Sequence, residues 1–266
     1  MAGCTIRMQD NASEVLRDGT TRDITRPWVP EVPVALEFNG LAYAVMMATP
    51  ADLEDFVRGF ALTEGLAQHA GEIEAIAIAE TDKGIVARAQ LSGLGVEQLS
   101  ERVRTRVAES SCGLCGIENL EALAKPLPPV QTHEAASSHA VFAAIDAMRD
   151  RQVLNRQTGA AHGAGFADLE GNIIEVREDV GRHNAIDKLI GALAVSGRDI
   201  GQGMVLSTAR CSYEIVEKVV KAGGTRLVTV SLPTSMAVER ARTAGLSLIC
   251  LARSDSHLVI NAPGDA

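Results

Sequence analysis

Two apolar runs, over residues 33–38 and 41–47, flank Asn39-Gly40. That dipeptide between short apolar runs predicts a β-hairpin with a two-residue turn. Thr49-Pro50-Ala51-Asp52 then predicts a helix start, with Thr49 as N-cap and Pro50 at the first helical position. Leu53, Phe56, Val57 and Phe60 follow at helical spacing. Residues 73–80 and 85–91 predict a second strand pair across Thr81-Asp82-Lys83-Gly84. Helices are predicted over 96–108 and 117–124. Three prolines in Lys125-Pro126-Leu127-Pro128-Pro129 cannot continue a helix, so 126–132 reads as an extended linker.

The second half alternates more regularly. Helices are predicted over 137–151, 182–194, 212–222 and 235–244. Strands are predicted over 160–168, 173–178, 204–207, 227–230, 246–251 and 257–260. This alternation predicts an α/β layer structure with a largely parallel sheet. The organisation expected is a polar, unordered tail over 1–30, a small α+β domain over 31–125, the linker, and an α/β domain over 133–266.

Bulk properties narrow the function. Hydrophobic content of 46% over 266 residues supports a sizeable core, while aromatics at 3% leave it to aliphatic side chains. A net charge of −9 opposes broad nucleic-acid binding, which needs a basic face. No apolar run is long enough to span a bilayer and no signal-peptide pattern opens the chain, so a cytoplasmic protein is expected. Thiols stay reduced there, and five cysteines in so long a chain do not make a disulfide framework.

Two of those cysteines stand in Ser110-Ser111-Cys112-Gly113-Leu114-Cys115-Gly116. Such a pair can hold half a metal site, cycle as a disulfide, or present a sulfur nucleophile. A structural zinc wants four ligands, and no second Cys or His pair at ligand spacing exists here. A thioredoxin-like pair would lie between a strand and a helix, whereas this one follows a predicted helix. A loop just before a helix N-terminus lowers a thiol pKa, and glycines let a partner approach closely. The third role suits the context best, with redox chemistry still open.

Other polar clusters fall at predicted strand-to-helix junctions, where α/β sheets bind ligands. The run Arg177 to Lys188 contains Gly181, Arg182 and His183 before a helix start, a place that favours an anion. It reads otherwise as a solvated helix start. Arg210 in Ser207-Thr208-Ala209-Arg210-Cys211-Ser212 could face the same crevice, with Cys211 as a small buried residue. His162, within the small-residue stretch Thr158 to Gly165, reads equally as a core residue or as a neighbour of a ligand.

The predicted element order resembles the cytidine-deaminase-like fold. That implies a mixed sheet with helices on both faces, beside the smaller α+β domain. Deaminase chemistry needs His-x-Glu and Pro-Cys-x-x-Cys. Arg182-His183-Asn184 and Arg210-Cys211-Ser212 stand in those places, so the zinc ligands and the proton-shuttling Glu are missing.

The chain as a whole resembles the formate dehydrogenase accessory sulfurtransferase family (FdhD/NarQ). The resemblance rests on Leu62-Thr63-Glu64-Gly65, Ser111 to Gly116, Thr158 to Phe166, Glu178 to Lys188 and Arg210-Cys211-Ser212-Tyr213-Glu214. It implies a carrier that takes sulfur from a cysteine desulfurase as a persulfide. The carrier would pass it to the Mo-bis(molybdopterin guanine dinucleotide) cofactor needed by the formate dehydrogenase apoenzyme. By the family pattern Cys112 is the persulfide cysteine and Cys115 its assistant. The cofactor-binding stretch falls on Leu251, Ala252, Arg253, Ser254, Asp255 and Ser256, where glycines and a second basic residue are lacking. Arg182 and His183 are expected to add donors, no permanently bound metal is expected, and the family habit implies a homodimer. Two other readings remain: a cofactor-carrying chaperone without sulfur chemistry, and a zinc hydrolase or deaminase on the same scaffold.

Overall fold

The computed structural model describes residues 9–95, 99–100 and 125–263. Cys112 and Cys115 lie outside the described residues. So do the helices expected over 96–108 and 117–124, apart from Leu99 and Ser100.

The first layer is a four-stranded sheet in the order β4-β3-β6-β5. Its strands are β3 (Val32–Phe38), β4 (Leu41–Ala48), β5 (Ile73–Thr81) and β6 (Gly84–Leu91), with β3 and β6 parallel. Val34, Leu36 and Phe38 alternate inward on β3, and Ile85, Ala87, Ala89 and Leu91 on β6. Against them packs α1 (Leu53–Thr63) through Phe56, Val57, Phe60 and Ala61.

Asn39-Gly40 makes the expected turn with φ of 50° and 79°. The Asn39 side chain also accepts from the Leu91 N–H at 2.7 Å and donates to the carbonyls of Leu91 and Leu94. Asn39→Ala would lose these bonds and leave alanine in the left-handed region. A loss of about 2–3 kcal/mol is expected in a denaturant titration.

Thr49 does not cap α1. Asp52 occupies that position, at φ 53° and without a side-chain capping bond. Thr49 serves the contact between layers instead, as described below. Residues 9–27, expected in an unordered tail, form the antiparallel pair β1 (Gln9–Val15) and β2 (Thr21–Pro27). Both strands are mostly exposed and polar. Cross-strand contacts such as Ser13 to Asp23 and Arg22 to Glu14 tie them together.

The second sheet runs β12-β11-β10-β9-β7-β8. Its strands are β7 (His162–Ala167), β8 (Ile173–Asp179), β9 (Met204–Ser207), β10 (Arg226–Thr229), β11 (Ser247–Cys250) and β12 (Leu258–Asn261). Only β9, β10 and β11 are mutually parallel; β7, β8 and β12 pair antiparallel with their neighbours. The sheet is therefore mixed rather than largely parallel, because the β7–β8 hairpin and β12 close its two edges. One face carries α4 (Arg182–Val195), α5 (Tyr213–Lys221) and α6 (Ser235–Ala244). The other carries α2 (Ser138–Arg151), followed by the short α3 (Val153–Thr158).

Helix α4 is buried from Asn184 to Leu193, between its own sheet and α1. Its seam with α1 is made by glycines. A Cβ on Gly59 would lie 1.7 Å from the Asp187 carbonyl oxygen, and one on Gly191 would lie 1.9 Å from that of Asp55. The two helix backbones touch, which joins the layers. No helix among the described residues is long and apolar enough to cross a membrane.

Candidate functional site

The register brings the polar clusters to one edge. Strands β9, β10 and β11 end at Ser207, Thr229 and Cys250. Ala164 pairs with Ser207 and His162 with Asp179, so the start of β7 and the end of β8 share that edge. The loops there interlock through their backbones. Cys211 N–H donates to Leu232, Thr234 N–H to Cys211, Leu251 N–H to Ser231 and Ala252 N–H to Thr229.

The run Asp179 to Lys188 divides into a buried part and an open part. The Asp179 carboxylate is fully buried and accepts from four donors. These are Thr49 N–H at 3.0 Å, Gly181 N–H at 2.7 Å, Asn184 Nδ2 at 3.0 Å and Lys188 Nζ at 2.6 Å. Lys188 Nζ also donates to the Thr49 carbonyl, Thr49 Oγ1 accepts from Val180 N–H, and Asn184 Nδ2 reaches the Met47 carbonyl. One turn away, Asp187 accepts from Thr63 Oγ1 at 2.7 Å and Lys218 Nζ at 2.9 Å. Asn184, Asp187 and Lys188 share one helix face by their spacing, and that face meets the first layer. These residues were expected to be solvated or to face a ligand; they instead lock the two layers together.

Arg182 and His183, at the start of α4, remain half-exposed. His183 Nε2 lies 2.9 Å from Glu214 Oε2. The His183 ring beside it holds the Glu214 carboxyl below the usual carboxylate range. Burial, then the charge of Arg182, pushes the His162 pKa down, so this imidazole is neutral at pH 7. His162 thus belongs to the cluster, whereas the glycines beside it leave no room on the α2 face. A Cβ on Gly163 would lie 2.5 Å from Gln152 Nε2 and 3.0 Å from Met148 Cε.

Arg210, Arg253, Ser254, Asp255 and Ser256 are exposed on the same edge. Leu251 takes φ 51°, a strained conformation for leucine, which turns the chain sharply after β11. Ala252 is fully buried in the α2-side core and its N–H is spent on Thr229, so it offers neither to a ligand. Arg253 N–H donates to the Ser256 carbonyl and Ser256 Oγ to Asp255, which closes the stretch into a compact turn. From β8 to β11 the edge spans four strand spacings, about 19 Å. Arg182 and Arg253 therefore stand toward the two ends of this edge, with Arg210 between them.

Buried polar atoms without partners point the same way. Among the described residues Ser212 Oγ, His257 Nδ1 and Gln152 Nε2 have no hydrogen-bond partner, while His183 Nε2 has the Glu214 carboxylate beside it. Ser212 and His257 follow strands at this edge, where a polar ligand would satisfy them. Sequence reasoning missed Ser212, Glu214 and His257 as members of the site. The Arg210-Cys211-Ser212-Tyr213-Glu214 run held the signal for the first two, since it opens a helix directly after β9. Among the described residues no group of three or more His, Cys, Asp or Glu could hold a metal ion.

The FdhD/NarQ family model matches residues 29–265. The chain belongs to the FdhD/NarQ family. A relative from Cupriavidus necator named sulfur carrier protein FdhD is 43% identical over 233 residues, covering 88% of this chain and 81% of its own length. One of the same name from Xanthomonas oryzae pv. oryzae is also 43% identical, covering 88% and 83%. A solved structure from Desulfotalea psychrophila, described as a formate dehydrogenase accessory protein, superposes with a TM-score of 0.76. It covers 96% of each chain at 23% identity, which supports the fold.

Proposed function

We propose that the protein is a sulfur carrier serving formate dehydrogenase. The reading is supported by the family, by the name its relatives carry, and by the Cys112-Gly113-Leu114-Cys115 sequence. In the first step the Cys112 thiolate attacks the terminal sulfur of a persulfide on a cysteine desulfurase. A new S–S bond forms, the desulfurase S–S bond breaks, and the desulfurase cysteine leaves as a thiolate that takes up a proton. Cys115 assists onward transfer. The acceptor is the Mo-bis(molybdopterin guanine dinucleotide) cofactor, held as substrate before it enters the formate dehydrogenase apoenzyme. The reaction belongs in the cytoplasm, where thiols stay reduced, and a homodimer would offer two equivalent crevices.

The observation that carries the cofactor half is the edge where Arg182, His183, Arg210 and Arg253 accompany unpartnered Ser212 and His257 atoms. Phosphates suit such donors, and the ~19 Å run suits an elongated dinucleotide. Asp255 works against a phosphate beside it, so binding is expected to lean on Arg253 and the two arginines toward β8.

The test loads the protein from a desulfurase with sulfur-labelled cysteine. Wild type should retain label that dithiothreitol releases, and Cys112→Ser should lose it. A second measurement separates the chaperone reading. If the Cys112→Ser, Cys115→Ser double variant restores formate dehydrogenase activity in a deletion strain, the protein carries cofactor without sulfur chemistry.

A further inference from the structure

At the opposite edge of the second sheet, three helix ends enclose a cavity of about 550 Å³. The helices are α1, α4 and α5, which end at Thr63, Val195 and Lys221. A glycine in the left-handed region follows each of them: Gly65 at φ 68°, Gly197 at 64° and Gly223 at 88°. The chain turns back there, and later N–H groups bond the last carbonyls. Leu66 N–H donates to Ala61, Arg198 N–H to Leu193 and Gly224 N–H to Val219. Those bonds blunt the negative ends of the three helices. Leu62, Ile190, Leu193, Ile200 and Ala222 make the walls apolar. The charged groups of the lining are Arg198, Lys221 and Glu64, with the His69 imidazole beside them. Glu64 lies 3.5 Å from Lys218, and His69 lies 3.6 Å from Glu72. Arg198 is exposed and has no ion-pair partner among the described residues. Lys221 stands 3.8 Å from Glu217, a carboxylate that Arg240 approaches more closely, at 3.4 Å.

We propose that this cavity binds a small amphipathic carboxylate, a compact apolar body bearing a single negative charge. Its volume falls in the range of small-molecule sites, about 300–1,000 Å³. The apolar body would leave water for the aliphatic walls, which supplies the driving force. Arg198 and Lys221 would take the charge at the mouth. Two cations against one carboxylate leave a single positive charge in excess in the lining, which matches a monoanion better than a phosphate dianion. The planar guanidinium of Arg198 suits the two oxygens of a carboxylate, and Lys221 adds a point charge. The rest of the chain favours this place by contrast, since a net charge of −9 repels anions elsewhere. The site is separate from the candidate cofactor edge. Helix α4 opens there with Arg182 and ends at the cavity 14 residues later, about 21 Å away. The inference therefore stands apart from the sulfur-carrier reading.

The test titrates the full-length protein with 2-naphthoate, a rigid fluorescent monoanion, and with 2-naphthylmethanol, the same body without the charge. One equivalent of 2-naphthoate should bind, and the alcohol should bind about tenfold more weakly or worse, the scale of one charge-assisted contact. The Arg198→Gln, Lys221→Gln double variant should lose about tenfold or more in 2-naphthoate affinity. Both side chains are exposed, so its unfolding midpoint should match wild type. Ala194→Phe places a ring in the cavity from the last turn of α4 and should abolish binding. If that variant does not fold, the double variant decides. Saturating GDP should leave 2-naphthoate affinity unchanged. No binding at millimolar 2-naphthoate would overturn the proposal, and the two cations would then serve the helix ends alone. Equal affinity for the alcohol, or full affinity in the double variant, would overturn it as well. Displacement by GDP would do the same, because it would put the probe at the candidate cofactor edge.

Discussion

Lys188→Met should cost about 3–5 kcal/mol, the usual penalty for removing one partner of a buried ion pair. The Lys188 ammonium and the Asp179 carboxylate are both inaccessible to water and lie 2.6 Å apart. Methionine fills much the same volume, so packing changes little and electrostatics dominates. The substitution also removes one of the two donors to the Thr49 carbonyl, leaving the Ala51 N–H. Burial alone lowers the Lys188 pKa, and Asp179 opposes that, so each charge relies on the other. A denaturant titration should show a lower midpoint with an unchanged slope. Adding Asp179→Leu should not rescue stability. That carboxylate also serves Thr49 N–H, Gly181 N–H and Asn184 Nδ2, and all three would lose their acceptor. A loss under about 1 kcal/mol for Lys188→Met would mean that water reaches this pair.

Gly191→Ala separates two effects of opposite sign. Alanine gains about 1 kcal/mol of helix propensity over glycine. Against this, its Cβ would sit 1.9 Å from the Asp55 carbonyl oxygen, and the obstacle is backbone, which cannot rotate away. Helices α1 and α4 would have to part by more than an ångström. Overpacking of this kind costs about 1–3 kcal/mol even where side chains can yield. The net expectation is a loss of about 2 kcal/mol or more, seen as a lower unfolding midpoint. Gly197→Ala is a useful comparison. That glycine is exposed at φ 64° with open space around it, so only backbone strain acts there. A Gly191→Ala protein as stable as wild type would show that the seam is looser than these distances imply.

Much of the second half of the chain was legible because short strands and amphipathic helices leave periodic signals. Residues 204–207 and 235–244 lie where the pattern put them, and Asn39-Gly40 turned as its chemistry requires. The seam was not legible, since a glycine within a helix does not name the backbone it will touch. Nor were the roles of Asp179, Asp187 and Lys188, because charge in a sequence reads as solvated until a partner is placed. Thr49 looked like a cap for the same reason: its partners Asp179, Val180 and Lys188 come from more than 120 residues away. The β1–β2 hairpin escaped notice because its strands are polar on both faces. At the candidate site, Arg182, His183 and Arg210 were singled out from their junctions, and all three lie on the edge described above. Glu214, Ser212 and His257 needed the strand order. Cys112 and Cys115 rest on sequence and family, since they lie outside the described residues.

The central claim is that Cys112 carries sulfur. Its most direct measurement is intact-protein mass spectrometry after incubation with a desulfurase and cysteine, on wild type and on Cys112→Ser. A mass gain of one sulfur atom on wild type, mapped to Cys112, removed by reductant and absent from Cys112→Ser, is the predicted result. An equal gain on Cys112→Ser, or none on wild type, would contradict it.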